Sequence, residues 1–331
     1  MKKFDWEQPI HKTTFMLHLI GLWPIGSNCY KSIFYTIYAT LLGFLALSHV
    51  VFQAISNVFL FGDLETLTDT LFFTLSECLI TLKAYFFVLN LKVIKNLLFS
   101  LNSDNFQPKT DKQVIRVQLE LNTYRKINYV YRSVVIASGV FWCAIPLSDR
   151  KVNLYGLPFN IWYPYKVGLS PFYELTYLYQ FVSILYIAIA NVGVDMMVGA
   201  LMIYISTQCI MLCDSLKKAE SRKSDIINKI SDCVNRHKDI LRYEYFLTIF
   251  LTIKTMLVCS FAQESNNFFS VVALGQFSIS TVAIALTMFQ LTLVDPLSSR
   301  GIVRIMCASG IATQLFIYCW FGNEVEFEVR C

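Results

Sequence analysis

Long apolar runs are the feature that most constrains how this chain can fold. Seven of them have the length of a membrane-spanning helix, about 20 residues for a hydrocarbon core of ~30 Å. The chain of 331 residues is 55% hydrophobic and only 15% charged, whereas a soluble domain carries about a quarter of charged residues. We therefore predict an all-α polytopic membrane helix bundle, with residues 1–331 forming a single transmembrane domain. The runs are Ile33–Phe61, Leu67–Asn90, Tyr129–Leu147, Leu175–Leu212, Tyr243–Ala262, Phe268–Val294 and Ile302–Phe321.

The distribution of lysine and arginine predicts the orientation of the chain. The loop after the second run carries seven of these residues and the loop after the fourth carries eight, whereas the segment 148–174 carries three. Cytoplasmic loops retain the excess of positive charge, so the N-terminus is predicted to be cytoplasmic. A G-protein-coupled receptor has the opposite orientation, and its Asn-Pro-x-x-Tyr motif does not occur here.

Motifs for enzymatic chemistry are missing from the sequence. It contains no glycine-rich phosphate loop, no Gly-x-Ser-x-Gly elbow and no His-Glu-x-x-His motif. We predict that the chain is not an enzyme, that it has no catalytic residues, and that it uses no metal ion or cofactor and binds no nucleic acid.

Four ionisable residues interrupt the apolar runs: Glu77, Lys83, Asp195 and Lys254. Such residues are costly in lipid, so they face a cavity or another helix. Glu77 and Lys83 are six residues apart, about 240° around a helix, and cannot pair with each other. For Asp195 we favour a hydrogen bond between helices or a hydrated helix end. A proton-coupled transporter would use such residues, but the repeated halves with broken helices that are typical of transporters do not occur.

Two helix faces combine aromatic, apolar and small polar residues. Val135, Ser138 and Trp142 share one face, and the next run carries a similar face. That second face consists of Tyr179, Val182, Ser183 and Tyr186. Such faces suit an apolar pocket with a few polar contacts, although their spacing alone favours ordinary helix packing.

The loop Leu157–Gln180, LPFNIWYPYKVGLSPFYELTYLYQ, resembles the second outer loop of the insect odorant receptors. Three other segments match that family in order: GLWP at Gly21–Pro24, HKDIL at His237–Leu241, and QLFIYCWFGNEV at Gln314–Val325. The resemblance extends over nearly the whole chain.

This resemblance implies a ligand-gated cation channel subunit in the plasma membrane of sensory neuron dendrites. A tuning receptor of this kind would assemble with a shared odorant receptor co-receptor into a heterotetramer, surrounded by membrane lipid. The resemblance also implies a pocket for a small volatile organic ligand among the outer halves of helices two, three, four and six. The ligand-binding residues that we assign to it are Phe72, Ser76, Leu79, Val135, Ser138, Trp142, Tyr179, Val182, Ser183 and Tyr186.

The sequence departs from the family at two places. The segments HKDILR and FAQESNNFFS, which adjoin in the family, are separated here by the 18 residues 243–260. The family also continues after FGNEV into a seventh helix, whereas this chain reads EFEVRC. We therefore predict an insertion at 243–260 and a fold that lacks the seventh helix; translated intron sequence would explain both. The predicted spans are 33–61, 67–90, 129–147, 175–212, 268–294 and 302–321.

The placement of the 243–260 segment decides the orientation of the helices after it. As a separate span it would invert them, whereas as a cytoplasmic or interfacial hairpin it would preserve the family orientation. We predict an odorant receptor that is truncated before its pore helix and gives no odour-gated current when it is co-expressed with the co-receptor. A gustatory receptor of the same superfamily and a secondary transporter are the alternatives.

Overall fold

The computed structural model describes residues 3–26, 32–59, 64–148, 156–159, 161–230, 237–293 and 299–329. All regular secondary structure in these ranges is helical, which confirms the predicted fold class. A one-turn 3-10 helix, Asp104–Phe106, comes after the fourth α-helix. The α-helices are α1 (His11–Leu19), α2 (Ile33–Phe59), α3 (Leu64–Leu89), α4 (Leu91–Leu101), α5 (Asp111–Ser148), α6 (Phe172–Ile230), α7 (His237–Leu293) and α8 (Ser299–Val329).

Helix α6 forms the centre of the bundle. It packs against α1, α2, α3, α5, α7 and α8. Every residue from 192 to 208 is buried, so this part of the helix is enclosed on all sides, as an almost uniformly apolar segment requires. The other long helices are therefore arranged around one buried helix.

Within the described ranges, four helical segments are long and apolar enough to cross a membrane: Ile33–Phe59, Thr70–Leu89, Phe172–Ser215 and Val258–Leu293. Helices α6 and α7 have 59 and 57 residues, which at 1.5 Å per residue is about 85–90 Å and far more than a ~30 Å hydrocarbon core requires. Both must therefore continue well beyond the bilayer. Each of the six predicted spans overlaps one of the helices; that α5 and α8 also cross the membrane stays a prediction.

The segment 243–260 lies inside α7, which is continuous from His237 to Leu293. It is therefore neither a separate span nor a hairpin, the two placements that the sequence suggested. Near its end, Val258 and Phe261 are buried in the main core, and the Phe261 ring centroid lies 6.0 Å from that of Phe106, just after α4. The segment forms the N-terminal part of α7, and its origin as an insertion stays a prediction.

One pair of buried charges, Lys83 and Asp195, joins two helices. Lys83 Nζ on α3 donates to Asp195 Oδ1 on α6 over 2.7 Å and to Gln276 Oε1 on α7 over 2.8 Å. Tyr318 on α8 donates to the same carboxylate over 2.7 Å. The interpretation of Asp195 as a group that forms hydrogen bonds between helices is thus confirmed. Lys254 is outside the side chains that the structure describes.

Candidate ligand-binding site

The loop between α5 and α6 folds onto the ends of the helices that it joins and of their neighbours. Its residues Phe159, Ile161 and Tyr163 are buried. They pack against side chains of four helices, α2, α3, α5 and α6, namely Phe52, Phe73, Trp142, Tyr179 and Ile184. We call Phe73, Trp142, Phe159, Tyr163 and Tyr179 the aromatic cluster.

Phe159 is the central ring of the aromatic cluster. Its centroid lies 5.2 Å from that of Phe73, edge to face, and 5.7 Å from that of Trp142. Phe73 and Trp142 are themselves 4.8 Å apart. These separations are those of directly interacting rings, so a residue of the loop fills the space between α3 and α5.

Gln180 on α6 holds the loop in this position. Its Nε2 donates to the Phe159 carbonyl oxygen over 3.0 Å and to the Tyr163 hydroxyl over 3.1 Å. Its Oε1 accepts from the Phe159 backbone N–H over 3.0 Å. One buried amide therefore bonds both backbone groups of Phe159, and it is the partner that the structure shows for the Phe159 N–H; the carbonyl oxygen also accepts from the Ile161 backbone N–H over 3.0 Å. Burial also raises the pKa of Tyr163, which keeps this hydroxyl neutral.

The predicted pocket residues of α5 do not all face the same space. Trp142 belongs to the aromatic cluster, and its Nε1 donates to the Pro158 carbonyl oxygen over 3.1 Å. Val135 packs against the main core instead. Ser138 Oγ donates to the Val134 carbonyl oxygen of its own helix over 2.8 Å. Of the predicted face, Trp142 is the residue that contacts the described part of the loop.

The predicted face of α6 points toward α2. Tyr179 shares a 2.8 Å hydrogen bond with Ser48 of α2, and the Tyr186 hydroxyl lies 3.9 Å from where a Cβ would stand on Gly43 of that helix. Ser183 is fully buried, and Val182 is half-buried. The predicted α6 face therefore packs against α2, and α2 borders the candidate site together with α6.

The predicted residues of α3 are spread around that helix. The Phe72 ring lies 4.8 Å from the Phe73 ring, at the edge of the aromatic cluster. Ser76 Oγ donates to the Phe72 carbonyl oxygen over 2.9 Å. Leu79 faces α7, since its Cδ1 lies 3.3 Å from where a Cβ would stand on Gly275. The structure therefore brings Trp142 and Tyr179 together in one cluster, with Phe72 at its edge. It does not bring all ten predicted residues together, since Val135 packs against the main core and Leu79 faces α7.

Sequence reasoning missed several residues of this region, among them Phe73, Phe159, Gln180 and His49. Phe159 and Gln180 lie in the loop segment that carries the family resemblance, but nothing in their spacing shows which of its aromatic residues turns inward. His49 had a readable signal, because it begins a series of polar residues with helical spacing on α2, inside an otherwise apolar run.

The described helices, with a loop folded into their outer end, define a polytopic helical membrane bundle. The family model described as 7tm Odorant receptor matches residues 63–330. The chain belongs to this odorant receptor family.

Individual relatives agree with the family. Odorant receptor Or1 of Anopheles gambiae is 24% identical over 298 residues, a match that covers 80% of this chain and 65% of the mosquito protein. The chain thus spans about two thirds of the length of that curated relative. The solved olfactory receptor OR5 of Machilis hrabei is similar to 98% of this chain, with 82% of OR5 covered, a TM-score of 0.77 and 16% identity. Its complex with eugenol gives a TM-score of 0.78. At 16% identity, the structural similarity shows that this chain shares the fold of OR5.

Proposed function

We propose that this chain is an odour-detecting receptor subunit that binds a small, mainly apolar volatile at the aromatic cluster. The observation that carries the proposal is the position of Phe159, which the loop inserts between Phe73 and Trp142 at the outer end of the bundle. A planar apolar molecule that displaces this one ring meets the same aromatic surfaces. The sequence-predicted residue Phe72 lies at the edge of the aromatic cluster, with its ring 4.8 Å from that of Phe73.

Family membership supports this proposal, and the eugenol complex of OR5 supplies a first probe. Eugenol is a small aromatic molecule, and its ring has the size of the Phe159 ring that the ligand would displace from the aromatic cluster. Binding is measured on the full chain in lipid nanodiscs, by tryptophan fluorescence and thermal stability across a panel of volatiles. We expect at least one volatile to quench Trp142 and raise the unfolding temperature, because a ligand that binds only the folded state stabilises it.

Two tryptophan variants locate the binding site. W142F removes the indole that would contact the ligand and should abolish the quenching. W320F changes a tryptophan on α8 that is 42% exposed and should leave the quenching intact. The next residue, Phe321, lies against Gly199 of α6, 19 residues along the chain from Gln180. The proposal fails if no volatile in the panel stabilises the chain, or if W142F and W320F behave alike.

We further propose that the subunit acts in the plasma membrane with a cytoplasmic N-terminus and an odorant receptor co-receptor, as a tuning subunit of an odour-gated cation channel. The basic loops support the orientation. The lengths of α6 and α7 beyond the bilayer support the assembly, because helical extensions offer contact surface to neighbouring subunits.

Orientation and assembly have separate tests. In intact cells, a cysteine in place of Lys166 in the outer loop should react with an impermeant maleimide, whereas one in place of Glu264 on α7 should react only after permeabilisation. The reverse result would overturn the orientation. Co-purification of the tagged chain with the co-receptor tests the assembly, and its absence after cross-linking in cells would count against it.

A further inference from the structure

A histidine of α2 contacts the aromatic cluster. The His49 ring centroid lies 5.8 Å from that of Phe159, with the two rings nearly perpendicular, and 6.0 Å from that of Tyr179. Both separations are those of directly interacting rings. The His49 side chain has no exposed surface. The space that Phe159 fills is therefore bordered by a polar ring as well as by Phe73 and Trp142.

The hydrogen-bonding atoms of His49 are not used by the rest of the described chain. Neither ring nitrogen has a hydrogen-bond partner among the described residues. On α3, Glu77 Oε2 lies 3.6 Å from His49 Nε2, too far for a hydrogen bond, and has no such partner either. Buried polar atoms normally bond to protein, to water or to a ligand. We call His49 and Glu77 the polar pair.

The polar groups of the aromatic cluster itself are already paired within the protein. Trp142 Nε1 donates to a carbonyl oxygen of the loop. The Tyr179 hydroxyl bonds to Ser48 of α2, and the Tyr163 hydroxyl accepts from Gln180. A ligand that lies against these rings therefore finds open hydrogen-bonding positions at the polar pair rather than on the rings.

We propose that the odorant of this chain is a phenol, a small aromatic volatile with a hydroxyl group on its ring, and that His49 and Glu77 recognise this hydroxyl. The inference rests on the proposed odorant site and specifies its ligand. The aromatic ring takes the place of Phe159 against Phe73 and Trp142. The 5.8 Å between the Phe159 and His49 centroids is short enough for a hydroxyl on that ring to reach a His49 nitrogen.

The polar pair selects a hydroxyl for a chemical reason. Whichever of His49 and Glu77 carries the proton, the pair presents at least one donor and one acceptor. A hydroxyl donates one hydrogen bond and accepts another, and it brings no charge into an apolar bundle. A carboxylate would be repelled by an ionised Glu77, an ammonium group would carry a buried charge, and a hydrocarbon would leave the polar pair unbonded.

The aromatic cluster selects a flat ring. Phe159 packs edge to face on Phe73 and at an angle on Trp142, and contacts of this kind depend on the flat shape and the charge distribution of an aromatic ring. A saturated ring of the same size is puckered and lacks that charge distribution. An aliphatic alcohol would therefore satisfy the polar pair but not the rings.

The first experiment compares three ligands of similar size on the unmodified full chain in lipid nanodiscs. They are 4-ethylphenol, 4-ethyltoluene, in which a methyl group replaces the hydroxyl, and 4-ethylcyclohexanol, in which a saturated ring replaces the flat one. Affinity is measured by thermal stability and by quenching of Trp142, against the concentration of each ligand in the bilayer. We expect 4-ethylphenol to bind about ten-fold more tightly than 4-ethyltoluene, the ratio for one well-formed hydrogen bond in a buried site. It should also bind more tightly than 4-ethylcyclohexanol.

Each of these comparisons can fail on its own. Equal binding of 4-ethyltoluene would overturn recognition of the hydroxyl, and equal or tighter binding of 4-ethylcyclohexanol would overturn the assignment to aromatic ligands. In both cases the odorant site itself stands, because ligands still quench Trp142. Failure of the proposed odorant site looks different, since none of the three ligands would then quench Trp142.

The second experiment tests the polar pair by substitution. H49F keeps a ring at this position but removes both nitrogens, so it should weaken 4-ethylphenol about ten-fold and leave 4-ethyltoluene unchanged. E77L removes the other member and should reduce the same preference. H11F makes the matched change at an exposed position of α1 and should alter neither affinity. An undiminished preference for 4-ethylphenol in both H49F and E77L would overturn the role of the polar pair. Equal weakening of both ligands in H49F would show that the ring, and not its nitrogens, contributes to binding, which would also count against it.

Discussion

Lys83 Nζ on α3 lies 2.7 Å from Asp195 Oδ1 on α6, with side chains that are 2% and 0% exposed. The two residues are 112 positions apart in the sequence. Gln314 and Tyr131 also donate to the Asp195 carboxylate, so helices α3, α5, α6, α7 and α8 meet at one hydrogen-bonded ion pair. A buried pair of this kind is retained only when its remaining polar atoms are also satisfied.

Removing one partner of this pair should destabilise the bundle strongly. K83M leaves an uncompensated carboxylate among buried groups, and we expect a loss of about 3–5 kcal/mol in the free energy of unfolding. The double variant K83M/D195L removes both charges and should be more stable than K83M. K92M, at an exposed position of α4, serves as the control. Thermal unfolding in detergent measures these variants beside the unmodified chain, and a double variant no more stable than K83M would contradict the interpretation.

Glycine at position 199 should be required where α6 and α8 approach each other. A Cβ added there would stand 2.7 Å from Cε2 of Phe321, a ring that is 1% exposed and cannot move without disturbing the core. We expect G199A to cost about 1–3 kcal/mol through overpacking. G310A on α8 meets nothing within 4 Å and should be neutral or stabilising by up to ~1 kcal/mol, because alanine favours a helix. Similar unfolding temperatures for the two variants would show that the contact is not tight.

The turn after α1 depends on two properties of Gly21. Its φ of 84° lies in the left-handed region, and a Cβ there would stand 2.7 Å from the Cα of Ala39 on α2. Gly26 has a similar φ of 89° but meets nothing within 4 Å. G21A and G26A both carry the backbone strain, of the order of 1–2 kcal/mol, so any further loss in G21A measures the contact with α2. We expect G21A to unfold at the lower temperature, and equal temperatures would exclude a contribution from that contact.

The sequence predicted the apolar parts of the helices well, because a run such as 175–212 has the length and composition that a bilayer requires. It did not predict that α6 would continue to Ile230, or that α7 would begin at His237. The α6 extension 213–230 and the first turns of α7, 237–242, are polar or mixed in composition, and hydropathy cannot separate a polar helix from a polar loop. The apolar run Tyr243–Ala262 was identified, but hydropathy does not show that it continues into the next run as one helix.

The candidate site was less predictable than the helices. Trp142 was identified from its helix face, and the structure places it in the aromatic cluster. Phe159 was not identified from the sequence, because its position depends on hydrogen bonds to Gln180, 21 residues away. Likewise, the sequence showed that Glu77 and Lys83 cannot pair with each other, but their neighbours His49 and Asp195 lie on other helices. Contacts between distant residues require the packing of the helices, which one sequence does not contain.

Gln180 should control whether the outer loop covers the aromatic cluster. Q180L is similar in volume but removes three hydrogen bonds to Phe159 and Tyr163. The Phe159 N–H then loses its partner, at a cost of about 1–3 kcal/mol, whereas the Phe159 C=O still accepts from the Ile161 N–H. We expect faster hydrogen exchange in residues 156–163 and weaker quenching of Trp142 by a bound volatile, because the loop no longer closes the cluster. Q118L, at an exposed position of α5, is the matched control. If Q180L exchanges at the rate of the unmodified chain, other contacts hold the loop, and the amide is not what positions Phe159 against Trp142.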